Sequence, residues 1–181
     1  MNTSMKTTCL LIASAALLSS CKKEAPATTT TTAPAATSEA LSKVLATAPT
    51  GESQAIAMAR ATAKPGDEIT LTGKIMGNSK PFVEGRSVFI LGDPEVLTPC
   101  NENPDDACET PWDNCCDSKE DKKRGTATIQ VVGADGRVLK DAIEGVGGLE
   151  KLAAVTVTGK VAEGSSPDLL IVNATAIRAG K

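Results

Sequence analysis

From residue 67 onward the chain alternates apolar and polar positions with period two. Ile69, Leu71, Gly73 and Ile75 take one set of positions and Thr70, Thr72 and Lys74 the other, which predicts a strand buried on one face. Residues 87–91 form a continuous apolar run, which predicts a strand covered on both faces. Residues 126–132 alternate again, and Ala134-Asp135-Gly136 turns the chain after them. Residues 154–161 and 168–177 read as the last two strands, with a short helix over Gly147–Leu152 between the third strand and the fourth. Ahead of the strands, residues 38–45 and 55–63 carry short helical patterns that need tertiary contacts to persist. Lys64-Pro65-Gly66-Asp67 reads as a turn, because Pro presets one backbone angle and Gly supplies a positive one.

The first and fourth strands echo each other. Ile69-Thr70-Leu71-Thr72-Gly73-Lys74-Ile75 and Val155-Thr156-Val157-Thr158-Gly159-Lys160-Val161 match position by position in character, each with a glycine inside the strand. Such a glycine marks a bulge or a sharp bend, as a small barrel requires where one strand serves both sheets. Five strands in this order, with bent first and fourth members, predict an all-β fold: a five-stranded OB-fold-like Greek-key barrel with short helices and a long cysteine-containing loop. Residues 38–66 supply the short helical segments and residues 67–181 the barrel, whose loop at 93–125 is long for so small a domain.

Composition narrows the chemistry. The formal net charge is −3, and the aromatic residues are Phe82, Phe89 and Trp112, with no tyrosine. A basic stripe and stacking platforms for bases are both missing, so nucleic acid is not an expected partner. There is no histidine, which excludes imidazole triads, proton relays and two-histidine zinc sites, and the reading leans away from an enzyme.

The N-terminus sets the expected compartment. Residues 10–21 form a short apolar run behind Lys6, ending in Leu18-Ser19-Ser20-Cys21, and this ending resembles the lipobox of bacterial lipoproteins. The resemblance implies a signal peptide over 1–20, lipidation of Cys21, and a membrane anchor in the cell envelope. Lys22 stands where many lipoproteins retained in the inner membrane carry aspartate, so the resemblance implies the outer membrane, facing the periplasm. Residues 21–37, rich in Thr, Ala and Pro, read as a flexible tether.

Cys100, Cys108, Cys115 and Cys116 remain after Cys9 and Cys21 are set aside. Four cysteines in an oxidising compartment suggest two disulfides, with Cys115 and Cys116 each bridging to one of Cys100 and Cys108, since a ring between neighbours is strained. Trp112 is then an apolar cap over the bridges. The alternative is a metal site, zinc, iron–sulfur or Cu(I), although the Cys-x-x-Cys knuckles of ordinary zinc sites are missing. A redox-active pair at Cys115 and Cys116 is the third reading, disfavoured by the acidic neighbours Glu109, Asp113 and Asp117. The acidic run from Glu102 to Asp117 lacks a calcium-loop register, and the basic group Lys119, Lys122, Lys123 and Arg124 reads as the solvated exit of the loop.

The segment Cys108-Glu109-Thr110-Pro111-Trp112-Asp113-Asn114-Cys115-Cys116 is similar to a group of uncharacterised exported proteins of planctomycete and verrucomicrobial type, which share a Cys-x-Thr-Pro-Trp-Asp-x-Cys-Cys segment. The resemblance takes in residues 61–77, 81–83 and 126–148 and implies an OB-like exported domain without implying an activity.

Barrels of this type make contacts through the second and third strands and the loops after strands one and four. Here those loops are residues 77–85 and 163–167, and Lys80, Phe82, Arg86 and Trp112 are the candidate binding residues. The resulting expectation is a non-enzymatic, lipid-anchored envelope module with a protein or other envelope component as partner and no cofactor, the alternative being a thiol redox or metal-binding role for the four cysteines.

Overall fold

The period-two segments become strands, and the way they pair closes a barrel. The computed structural model describes residues 37–103 and 108–180, so the expected signal segment, Cys21 and nearly all of the tether lie outside the described residues. The strands are β1 (Ser53–Gln54), β2 (Glu68–Ile75), β3 (Val88–Gly92), β4 (Thr126–Gln130), β5 (Ala154–Val161) and β6 (Ile171–Ala179). Hydrogen bonding runs β2-β3-β4-β6-β5 and returns from β5 to β2. Within that ring β4 and β6 are parallel and the other pairs antiparallel. The fold is therefore all-β, a closed five-stranded barrel with the strand order of an OB-fold.

The two echoing strands are direct partners. β2 and β5 pair so that Gly73 faces Val155 and Gly159 faces Ile69, a local two-fold relation about the Leu71–Val157 pair. Both glycines lie where a third strand closes in. A Cβ on Gly73 would stand 2.5 Å from the carbonyl oxygen of Gly92, and one on Gly159 would collide with the carbonyl oxygen of Asn173. The β5–β6 register shifts between Thr158 and Gly159, which places the expected bulge at the second glycine.

Inward-facing positions of all five strands fill the barrel, among them Leu71, Ile75, Phe89, Leu91, Ile129, Val157, Val172 and Ile177. β3 departs from expectation. Phe89 and Leu91 are buried but Val88 and Ile90 are only half-buried, so its outer face is partly covered rather than enclosed. The cover is the β2–β3 loop, where Ile90 N donates to Pro81 O at 2.7 Å and Val83 N to Val88 O at 3.1 Å. β1 occupies the flank of β2 that β3 leaves open: β3 pairs only with Lys74 and Ile75, while β1 runs parallel to Thr70 and Leu71. Thr70 is buried there with its hydroxyl bonded to Thr50 O and 2.9 Å from the Thr158 hydroxyl.

Helices α1 (Glu39–Ala46), α2 (Ile56–Thr62) and α3 (Lys119–Gly125) complete the architecture. Ser38 caps α1 by accepting from Leu41 N, and fully buried Leu41 anchors the helix in the core. α2 begins at Ala55, which has no side-chain cap. The buried carboxylate of Asp93 takes that place from across the fold, accepting from Ala57 N and Glu95 N at 3.0 Å each.

Two expectations are corrected. The helix expected over Gly147–Leu152 is only a 3-10 turn, Val146–Gly148, because Gly145, Gly147 and Gly148 all take left-handed angles that an α-helix cannot continue through. α1 packs instead against β6 and this turn, with Leu45 beside Gly147. The basic stretch after Ser118 is not an irregular loop exit but α3, started by Ser118, whose hydroxyl accepts from Asp121 N at 3.0 Å.

Candidate functional site

The 93–125 loop is closed at its base, where Asp93 N donates to Gly125 O at 2.8 Å. Inside it, the 3-10 turn Cys100–Glu102 folds back onto the 111–113 stretch: Cys100 N donates to Asp113 O at 2.7 Å and Asn101 N to Pro111 O at 3.0 Å. Asp117 fastens the next turn, its Oδ2 accepting from Thr98 N at 2.9 Å and from Asn114 Nδ2 at 3.1 Å. Lys122 of α3 donates to Cys115 O at 3.0 Å. These crossings set Cys100 opposite Cys115 although they are 15 positions apart in the chain.

The consequence is a cluster of sulfurs. The Sγ atoms of Cys100, Cys108 and Cys115 all lie within 4.8 Å of one another. Cys115 Sγ is 3.7 Å from Cys100 Sγ, 3.4 Å from Cys108 Sγ and 3.8 Å from Cys116 Sγ. A disulfide bond measures about 2.05 Å. A tetrahedral metal with metal–sulfur bonds of about 2.3 Å separates its sulfurs by about 3.8 Å. The Cys115–Cys100 and Cys115–Cys116 spacings lie at the second figure, and the Cys108–Cys115 spacing of 3.4 Å is a few tenths of an ångström short of it. Three sulfurs and no histidine make a soft donor set, suited to Zn(II) or Cu(I) and not to the oxygen-seeking Ca(II) or Mg(II). The missing Cys-x-x-Cys spacing is overcome by the fold-back of the loop, a pairing no local pattern records.

The loop is docked on the barrel. Trp112 Nε1 donates to Ser79 O at 2.9 Å, and the Lys151 ammonium stands 4.5 Å from the centre of the indole while pairing with Glu144 at 2.7 Å. Lys74 of β2 pairs with Glu102 at 2.6 Å. The contacts of Trp112 thus join the cysteine loop to the β2–β3 loop and to the start of β5, where sequence reading expects a cap over the sulfurs.

Lys80 and Phe82 line a cleft of about 380 Å³ together with Ser79, Ile143, Glu144 and Lys151. Phe82 is half-buried, its ring centre 6.0 Å from that of core residue Phe89. Trp112 lines a neighbouring hollow that shares Glu144 and Lys151 with the cleft. Arg86 is exposed and lies outside both linings, on a turn closed by its backbone N–H to Val83 O. Lys80 and Phe82 thus share the cleft and Trp112 the adjoining hollow, while Arg86 follows the cleft residue Gly85 in the chain without lining either.

Two charges are shifted by their surroundings. Hydrogen bonds from Ser118 first, and from Arg124 next, hold the exposed Asp121 carboxyl below the usual carboxylate range. Burial pushes the Arg60 guanidinium down, opposed by nearby Asp168. Arg60 ties α2 to Thr126 O and Pro167 O, and its Nε is buried with no hydrogen-bond partner among the described residues.

No protein-family model matches the chain, and no curated protein matches it. Among solved structures, that of the hypothetical protein ygiW from E. coli is similar, with 13% identity, a TM-score of 0.39, and an alignment covering 73% of this chain and 94% of that one. The barrel assignment stands on the strand order and registers described above.

Proposed function

We propose that this chain is an exported, lipid-anchored OB-type module of the bacterial cell envelope that holds a thiophilic metal ion, Zn(II) or Cu(I), on its cysteine loop. The observation that carries the metal part is the convergence of the Cys100, Cys108 and Cys115 sulfurs to within 4.8 Å of one another. An ion held by Cys100, Cys108 and Cys115 joins three stretches of the loop, so binding also rigidifies it. Export and anchoring are supported by the Leu18-Ser19-Ser20-Cys21 pattern and by the likeness to exported proteins with the Cys-x-Thr-Pro-Trp-Asp-x-Cys-Cys segment. The barrel supplies the platform, and Trp112, Lys74 and Lys151 fix the loop to it.

A second reading has its own observation. The sulfurs of Cys108 and Cys115 stand 3.4 Å apart, and in an oxidising compartment closing that gap by about 1.4 Å gives a disulfide staple. Intact mass separates the two. The chain with Cys9→Ser and Cys21→Ser is made in an oxidising compartment supplied with Zn(II) and weighed under native and denaturing conditions, with alkylation before and after reduction. One zinc retained natively, with four alkylatable thiols on denaturation, supports the metal centre. Thiols that alkylate only after reduction, with no metal adduct, support the staple and overturn the metal reading.

A further inference from the structure

The sulfurs of the cluster are graded in exposure, and the gradient has a direction. Cys100 is 4% exposed at the foot of the site, Cys108 is half-buried, and Cys115 and Cys116 are exposed. A structural zinc centre fills all four coordination positions with protein ligands, whereas here three sulfurs converge, from a buried anchor at Cys100 to an exposed lip at Cys115. At the lip, Cys116 Sγ is 3.8 Å from Cys115 Sγ, matching the 3.7 Å between Cys115 and Cys100. An ion held on Cys115 is therefore one ligand step from Cys116. Three carboxylates of the loop have partners outside the cluster: Glu102 pairs with Lys74, Asp113 accepts from Asn114 N, and Asp117 accepts from Thr98 N and Asn114 Nδ2. Lys122 Nζ donates to Cys115 O at 3.0 Å and so pins the backbone at the lip to α3.

Resting on the metal reading above, we infer that Cys116 is the exchange ligand through which the ion passes to a thiol-bearing partner, so that the module transfers metal rather than using it only as a staple. In the exchange step a bond forms between Cys116 Sγ and the ion as the bond to one of the three clustered sulfurs breaks. The proton lost by Cys116 is taken up by the departing thiolate, and the oxidation state of the ion does not change. A partner cysteine then repeats the step from the open side, displacing Cys116 in turn. No oxidant or reductant enters, and the partner is recognised by the chemistry of a paired-thiol metal acceptor.

The test uses Zn(II) as the probe and a synthetic Cys-x-x-Cys peptide as the acceptor, with the Cys9→Ser, Cys21→Ser chain as reference and Cys116→Ser added to it. Zinc stoichiometry is measured by native mass, transfer rate by the appearance of zinc-loaded peptide, and folding by circular dichroism. The expected result is one zinc bound by both proteins and transfer slowed by about tenfold or more in Cys116→Ser, the size of effect that follows loss of a group supporting a metal ligand. Equal transfer rates overturn the exchange role. A folded Cys116→Ser protein that binds no zinc also overturns it, by making Cys116 a holding ligand while leaving the metal reading intact. If the reference chain binds no zinc, the metal reading itself has failed and the exchange role falls with it.

Discussion

Gly73 and Gly159 show what a single residue decides in this fold. Each faces the second residue of the other's strand, and each leaves room for the backbone of a third strand, at Gly92 O and Asn173 O respectively. A methyl group at either place meets backbone rather than a movable side-chain tip, so Gly73→Ala and Gly159→Ala are each expected to destabilise the barrel by about 1–3 kcal/mol. Urea denaturation followed by circular dichroism checks this as a lower midpoint at unchanged slope. The exposed carboxyl of Asp121 gives a second residue-scale expectation. Its pKa is depressed in the fold, so its contribution to α3 is present above the unfolded value of about 3.9 and is lost as pH falls through the lower folded value. Carboxyl NMR should find Asp121 titrating below an ordinary aspartate, and Ser118→Ala should move that midpoint upward; an unshifted midpoint contradicts the assignment. The glycine echo was readable in the sequence because strand periodicity is local. The meeting of Cys100 with Cys115 was not, since it depends on backbone hydrogen bonds between residues ten or more positions apart, Cys100 N to Asp113 O and Asn101 N to Pro111 O.

At the scale of elements, the strands were legible and the helices less so, for the same reason. β2, β4 and β5 follow alternation, a signal contained in the strand itself. The helix expected after β4 failed because its glycines take left-handed angles, which apolar spacing around them does not reveal. α1, from the other end of the domain, packs on β6 beside the turn that remains. Leu41 is its fully buried anchor, and Leu41→Ala is expected to cost about 2–5 kcal/mol, with a matching fall in thermal midpoint. A loss under 1 kcal/mol would mean that α1 only rests on the barrel. α3 was hidden by its charges: seven polar or small residues show no apolar face, and only the Ser118–Asp121 cap announces a start. Its place is nonetheless structural, since Lys123 pairs with Asp168 in the β5–β6 loop and Lys122 reaches Cys115 O.

At the scale of the whole molecule, a closed barrel presents a loop whose sulfurs are joined to it on two sides, through Trp112 to the β2–β3 loop and through Glu102 to β2. The barrel circuit was legible because five strands, two of them bent at glycines, have few ways to close. The donor set was legible as four cysteines without histidine, but the spacing of those cysteines argued against zinc, and only the folded loop makes a thiolate centre reasonable. Under the proposed reading, an anchored barrel would hold the metal centre with the exposed Cys115 and Cys116 at its lip. X-ray absorption at the zinc edge, on the chain loaded with one equivalent of Zn(II), is the most direct test of that centre. The account predicts a first shell dominated by at least three sulfurs at about 2.3 Å. A shell of oxygen and nitrogen alone, at about 2.0–2.1 Å, would contradict it.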